Sequence, residues 1–260
     1  MVGLRTILNC IGVTQPNVSV LAHFFGFSRG RVPTDPDTTV TAQVSLLDAV
    51  RGVQGRHVHL NVIRVGFDAI TPATARDQAV ERLDYALYKT RNVYRQVSLG
   101  VGRVEHRVVT AAQANGMDDL GSQSEAQDLW RSFSVQNNGV DVFVVRTISA
   151  TDFVGLSPVG GSCTKGSKDD GLCGGTISRS DDGVARTFAH EVGHFLGLSH
   201  NHGDGTGCTN CPSTNAGKSN LMAQTRCTTC TGGAGVRDST LLTSSQGTTM
   251  RGHCSTRAGC

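Results

Sequence analysis

The segment that most constrains the fold is residues 190–200, which read His-Glu-Val-Gly-His-Phe-Leu-Gly-Leu-Ser-His. Four apolar residues in and before it step by four, four and three positions, the spacing of one helix face: Val184, Phe188, Val192 and Phe195. At about 100° per residue, His190 and His194 project to nearly the opposite side of that helix. Gly197 predicts its end, because glycine readily adopts the positive φ of a helix C-terminus.

The polar face of this predicted helix carries groups that suit a metal ion. Two histidines four residues apart can bind the same ion, and catalytic zinc takes three protein ligands plus a water. Once the chain has turned, His200 can supply the third nitrogen; His202 is an alternative that the spacing disfavours. We predict one catalytic Zn²⁺ on His190, His194 and His200, with Glu191 as the general base.

Residues 56–149 alternate between strand-like and helix-like patterns. The predicted order is strand, helix, strand, helix, strand, at about 57–67, 72–94, 97–101, 122–133 and 140–148. This order predicts an α+β fold with a mixed, mostly parallel sheet and two long helices packed on it. Thr71 is the expected N-cap of the first helix, with Pro72 as its first residue.

The second half of the chain is rich in glycine, which predicts many loops. Leu172–Ser178 is expected to be a short exposed edge strand, and Leu241–His253 a C-terminal helix. The helix bearing His190 should begin near residue 183, capped by Asp181 or Asp182. The aspartates among the glycines of 165–183 make Ca²⁺ a candidate ligand, although a solvated loop with a helix cap is the favoured interpretation.

The cysteine content bears on whether the protein works in an oxidising or a reducing compartment. The chain has nine cysteines, and eight of them fall in the last hundred residues. Such density favours disulfides and secretion, although no signal peptide is evident at the start of the sequence. Two pairs are expected to form disulfides: Cys163 with Cys173, and Cys254 with Cys260. A second group has the spacing of a four-cysteine zinc site, so disulfides and a second, structural Zn²⁺ both stay open for it: Cys208, Cys211, Cys227 and Cys230.

Composition excludes several classes of partner. The net charge of +3 comes from basic residues that are scattered, not clustered as in nucleic-acid or membrane-surface proteins. No apolar run approaches the roughly 18 residues that span a bilayer. We expect protein or peptide substrates, no nucleic acid, no membrane and a monomer.

The pattern His190-Glu191-x-x-His194-x-x-Gly197-x-x-His200 resembles that of the metzincin clan of zinc peptidases. Their second hallmark is a turn with a methionine beneath the zinc, and Asn220-Leu-Met222-Ala is its counterpart here. The resemblance implies an upper subdomain over 56–200, a cleft, and a smaller cysteine-rich lower subdomain over 201–260 that ends in a helix. Residues 1–55 are then an N-terminal extension or a pro-segment.

The resemblance also bears on two further positions. Some metzincins place a tyrosine two residues after the methionine, where this chain has Gln224, so no tyrosine is expected at the metal. Pro-segment cysteines cap the zinc in some metzincins, which makes Cys10 a candidate latency cysteine, with a buried or stray thiol as the alternative. Similarity to archaemetzincins and pappalysin-like bacterial enzymes leaves the subfamily open.

Three hypotheses about function follow. The first is a secreted zinc endopeptidase in which Glu191 helps a zinc-bound water to attack the peptide bond. The second is a zinc-stabilised binding module on the same fold without turnover, against which the presence of Glu191 argues. The third is an intracellular archaemetzincin-like peptidase with reduced cysteines.

Overall fold

The computed structural model describes residues 55–201, 215–224 and 239–259. Its strands are β1 Arg56–Val65, β2 Leu99–Val109, β3 Asp119–Leu120, β4 Val140–Val145, β5 Thr147–Ile148, β6 Gly171–Thr176 and β7 Thr256–Arg257. Its helices are α1 Ala73–Arg95, α2 Ala111–Ala114, α3 Gln123–Phe133, α4 Asp181–Phe195, α5 Asn215–Lys218 and α6 Ser244–Gly252. Among these described helices, none combines the length and the apolar character needed to cross a bilayer.

The main sheet has the order β2-β1-β4-β6, and all three pairings along this path are parallel. β7 adds one short antiparallel pairing to β1. The predicted α+β class with a mixed, mostly parallel sheet is therefore confirmed. β4 is buried along its whole length, as expected of an apolar run that is covered on both faces.

Several helix and strand boundaries differ from the predicted ones. The run 140–148 is broken at Arg146, because its last two residues leave the main sheet and pair as β5 with β3. The prediction that Pro72 is the first residue of α1 is wrong: the helix begins at Ala73, and Pro72 is its N-cap residue, with an extended backbone. The C-terminal helix is confirmed as α6, which begins with a capping box between Thr243 and Gln246.

The predicted edge strand at 172–178 is β6, which stands at the end of the main sheet, but the prediction that this strand is exposed is wrong. β6 is buried along its length, and its outer side is already paired. Leu156 forms an antiparallel bridge with Cys173: the Leu156 N–H donates to the Cys173 carbonyl at 3.0 Å, and the reverse bond is 2.8 Å. The segment 151–157 therefore lies outside β6 and separates that strand from the cleft beside α4.

Helix α4 is fixed at its start by a cap that differs from the prediction. Ser180, not an aspartate, is the N-cap residue, and its Oγ accepts from the Gly183 N–H at 3.3 Å. Asp181 and Asp182 instead occupy the first turn, where negative charge suits the helix dipole. Both aspartates accept hydrogen bonds from α1: Arg82 Nε donates to Asp181 Oδ1 at 2.7 Å, and Tyr85 Oη donates to Asp182 Oδ1 at 2.9 Å. Further along the two helices, Tyr94 Oη donates to the Ala189 carbonyl at 2.7 Å.

Candidate metal centre and active site

Helix α4 is buried on every side from Gly183 to its end at Phe195. Its predicted apolar stripe is at most 1% exposed. The stripe packs into the core beside β6 and α1, so the histidines on the other side cannot rotate away without unpacking it. The helix phase inferred from the sequence is thus observed.

The helix ends where the sequence predicted. Gly197 has a φ of +98°, its N–H donates to the His194 carbonyl at 2.8 Å, and the Leu198 N–H donates to Gly193 at 3.0 Å. A second segment covers the same end: the N–H groups of Gly160 and Gly161 donate to the carbonyls of His194 and Phe195 at 3.0 and 2.8 Å. These bonds satisfy carbonyls that the helix itself leaves unpaired.

His190, His194 and His200 come together beyond this turn. Each offers a ring nitrogen, and the three nitrogens lie within 4.8 Å of one another. The ring centroids are 4.5 to 5.3 Å apart. A set of three imidazoles suits zinc, which binds nitrogen at about 2.0–2.1 Å and keeps a fourth position open in catalytic sites. The residues therefore fit a zinc ion.

Backbone carbonyls orient the two helix histidines. His190 Nδ1 lies 2.7 Å from the Leu221 carbonyl, and His194 Nδ1 lies 2.5 Å from the Leu198 carbonyl. A carbonyl can only accept, so each Nδ1 carries the proton and each Nε2 keeps a lone pair for a metal. Burial lowers the pKa of both rings below the usual histidine value, which favours the neutral form that a metal requires.

Met222 packs under the helix. It is fully buried, and a Cβ added to Gly193 would lie 3.0 Å from its sulfur, so a larger residue there would displace the methionine. The turn is held by Asn220, whose Oδ1 accepts from the Met222 N–H at 2.9 Å. The Met222 carbonyl in turn accepts from the Asn201 N–H at 2.9 Å, which ties the turn to the residue after His200.

Glu191 is buried beside the histidines, on a cleft of about 460 Å³ that the segment 151–157 also lines. Burial raises its pKa to about 8, and the positive charge of Arg186 acts in the other direction. A divalent cation on the three imidazoles would, like Arg186, act to lower the pKa of Glu191, since it adds positive charge close to the carboxylate. Glu191 is thus placed to exchange a proton inside the cleft.

The sequence profile Reprolysin_5, described as metallo-peptidase family M12, matches residues 70–233. The chain belongs to metallo-peptidase family M12. The predicted resemblance to metzincin zinc peptidases is thereby confirmed, and zinc is the metal that this family and the three imidazoles imply. The matched region contains every histidine, the glutamate and the methionine named above.

Two solved structures are similar to this M12 chain. Archaemetzincin from Methanopyrus kandleri has a TM-score of 0.44 and 13% identity, over 74% of this chain and 94% of that one. Metalloproteinase-II from Bacteroides fragilis has a TM-score of 0.43 and 12% identity, over 77% of this chain and 53% of that one.

The predicted cysteine pairing in this M12 chain is wrong. Cys163 forms a disulfide with Cys254, 91 residues away, and not with Cys173. Cys173 is a free thiol buried in β6, where burial raises its pKa to about 12. The remaining cysteines that the sequence singled out lie outside the described residues: Cys10, Cys208, Cys211, Cys227, Cys230 and Cys260.

Sequence reasoning missed two residues of the site and assigned no structural role to a third. Arg186 is buried, and its guanidinium donates to the carbonyls of Leu221 and Ala223, which fastens the methionine turn to α4. Its helical position, four residues before His190, was a signal that could have been used. Gly155 lies against Glu191, and no local pattern announces that contact. Gln224 was noticed only as the place of a missing tyrosine.

Proposed function

We propose that this chain is a zinc-dependent endopeptidase in which Glu191 is the general base and His190, His194 and His200 hold the metal. The observation that carries the proposal is the convergence of three imidazole nitrogens and one buried carboxylate on the same open cleft. Membership of family M12 supports the peptidase class. The positions of these side chains support their individual roles.

A zinc ion held by the three imidazoles would act as a Lewis acid, which would lower the pKa of a bound water and polarise the scissile carbonyl. The Glu191 carboxylate accepts a proton from the attacking water and delivers it to the leaving nitrogen. Burial raises the pKa of Glu191 to about 8, and a cation on the three imidazoles would lower it again, towards a value at which the carboxylate can accept the proton. The carbonyls on His190 and His194 keep these rings in the tautomer that presents Nε2.

One side of the cleft suits the binding of an extended peptide. The segment 151–157 lies along it, and its bridge to β6 makes it the outermost strand-like part of the sheet on this side. We expect an extended substrate to pair with this backbone by strand addition. An elongated substrate held in mid-chain is what an endopeptidase requires. The disulfide between Cys163 and Cys254 supports action in an oxidising, extracellular compartment.

The test combines metal counting with cleavage of a peptide library. We expect each chain to bind one zinc ion at His190, His194 and His200. We also expect cleavage of internal peptide bonds, which a chelator should abolish and added zinc should restore. Glu191→Gln should keep its zinc and lose about 10²–10⁴-fold in kcat, because only the proton transfer is removed. Glu105→Gln, on the far strand β2, is the matched control and should keep full activity. A zinc-loaded wild type without cleavage would make the chain a binding module.

A further inference from the structure

Two arginines line the cleft in addition to the groups of the proposed zinc site, Arg179 and Arg186. Arg179 lies just before α4 and is partly exposed. Its side chain turns towards the first turn of that helix, because its Nε lies 3.4 Å from the position that a Cβ on Gly183 would take. The cleft thus carries positive charge beside the start of α4 as well as at its metal-binding end.

The two arginines differ in what their guanidinium groups bind. Arg186 is buried, and it donates to the carbonyls of Leu221 and Ala223. The side chain of Arg179, by contrast, makes no hydrogen bond and no ion pair within the parts of the chain that the structure describes. A guanidinium group presents five donors in a planar fork that matches the two oxygens of a carboxylate. Arg179 therefore offers this fork to a molecule that enters the cleft.

The nearby acidic side chains leave the charge of Arg179 in place. Both aspartates in the first turn of α4 accept hydrogen bonds from α1, and neither lines the cleft. Asp152 does line the cleft, but it is exposed and forms no ion pair with Arg179. Burial lowers the pKa of Arg186 to about 10, the charge of Glu191 acts in the other direction, and the charge of Arg179 lowers it further. The two arginines thus repel each other, and an anion beside Arg179 would relieve that repulsion.

The helix sets the distance between Arg179 and the scissile bond. Seven residues separate Gly183 from His190, which is about 10 Å along α4 at 1.5 Å per residue. The segment 151–157 lies beside the same helix, since a Cβ on Gly155 would touch side chains of α4. A substrate paired with that segment would run along α4, and an extended peptide covers about 10 Å in three residues. The side chain that reaches Arg179 is therefore about three residues from the bond that is cut.

We propose that Arg179 determines specificity by binding the carboxylate of an aspartate or glutamate side chain in the substrate, about three residues from the scissile bond. The inference rests on the proposed function, and it names the substrate class of the same cleft: extended peptides with an acidic residue on one side of the cut. Arg179 exchanges no proton and contacts no zinc ligand in this role. Its contribution is to the choice between substrates, which kcat/KM measures.

The test compares octapeptides, acetylated and amidated at their ends, that differ only by Glu or Gln at one position on either side of the bond that the wild type cleaves. We expect kcat/KM to be about 10-fold higher with Glu at one position two to four residues from that bond, the effect of one charge-assisted hydrogen bond. Arg179→Gln should reduce this preference to less than twofold, and Arg179→Glu should favour Lys there instead. Arg131→Gln, on the exposed surface of α3, removes the same charge outside the cleft and should keep the preference.

Two results would overturn the inference while the peptidase stands: equal kcat/KM for Glu and Gln at every position, or a preference that is unchanged in Arg179→Gln. A preference for a free C-terminal carboxylate, lost in Arg179→Gln, would assign the guanidinium to the chain terminus and would also contradict it. Asp152→Asn removes a negative charge from the cleft and should keep or increase the preference; loss of the preference there would count against Arg179.

A binding measurement separates this inference from the proposed function. A zinc-loaded wild type that cleaves none of the peptides would overturn the peptidase proposal. Fluorescence anisotropy of the labelled Glu and Gln octapeptides then tests Arg179 without turnover. We expect the dissociation constant to be about 10-fold lower for one Glu peptide and this difference to vanish in Arg179→Gln. Equal dissociation constants in the wild type would overturn the role of Arg179 as well.

Discussion

Gly155 offers a sharp test of how the cleft positions the general base. A methyl group added there would lie 2.7 Å from Glu191 Cγ, 2.9 Å from Glu191 Oε1 and 2.6 Å from Thr187 Cγ2. Carbon atoms in favourable contact are about 3.5–4.0 Å apart. In Gly155→Ala, the segment 151–157 and the Glu191 side chain must therefore separate by about 0.8 Å, the deficit against that contact distance.

The expected result follows from that displacement. A shift of about 1 Å in a reacting group costs on the order of 100-fold in rate, so kcat should fall by about that factor. The free energy of unfolding should fall by about 1–3 kcal/mol, the usual cost of overpacking. Zinc should remain bound, because none of the three atoms nearest to the added methyl group belongs to a histidine.

The assay is steady-state kinetics on a peptide that the wild type cleaves, with zinc counting and denaturant unfolding on the same samples. Thr187→Ser in the Gly155→Ala background removes one of the two clashes, so it should restore part of the stability and little of kcat. Gly252→Ala is the matched control, because a methyl group there meets no atom within 4 Å. A folded, zinc-loaded Gly155→Ala enzyme with kcat within threefold of wild type would refute the argument.

Three further predictions use other parts of the structure. Cys163→Ser should lower the free energy of unfolding by about 2–4 kcal/mol in denaturant titration, because the lost bridge joins residues 91 positions apart. His59 accepts from the Arg103 N–H, and burial lowers its pKa to about 3, so its neutral form supports stability above pH 6.5 and that support is lost as pH falls towards 3. Between pH 7 and pH 5, the free energy of unfolding should fall by about 1–2 kcal/mol less in His59→Gln than in wild type, as measured in unfolding titrations at the two pH values. Removal of zinc by a chelator should lower Tm, and equimolar zinc should restore it, since a ligand of the native state stabilises that state.

The sequence predicted the features that depend on local periodicity. The stripe from Val184 to Phe195 sets the phase of α4, and a helix of known phase has a known polar face, so the direction of His190 and His194 followed directly. The prediction that α4 ends at Gly197 was correct for the same reason: a positive φ at a helix end is a local requirement that glycine meets best. The parallel sheet followed from the alternation of helices and strands.

The errors share a different physical origin. The partner of Cys163 depends on where two distant segments meet, and proximity in sequence favoured Cys173 although β6 carries that thiol into the core. The burial of the edge strand β6 was missed because the segment that covers it, 151–157, pairs through a single bridge between Leu156 and Cys173 and has no alternating pattern that would predict it. Contacts such as Gly155 with Glu191 are set by the packing of two elements, and a sequence shows only one of them at a time.

The methionine turn explains why metal affinity and fold stability should be coupled in this chain. The Leu221 carbonyl orients one zinc ligand, and Met222 supports α4 at Gly193, so a shift of the turn would disturb both the ring and the helix that carries it. The Asn201 N–H bond to Met222 then passes the same shift to the residue beside His200. A zinc ion on the three imidazoles would join the helix to the segment after it and would oppose any such movement. Substitutions in the turn should consequently weaken metal binding and global stability together, whereas a change at Glu191 should alter catalysis alone.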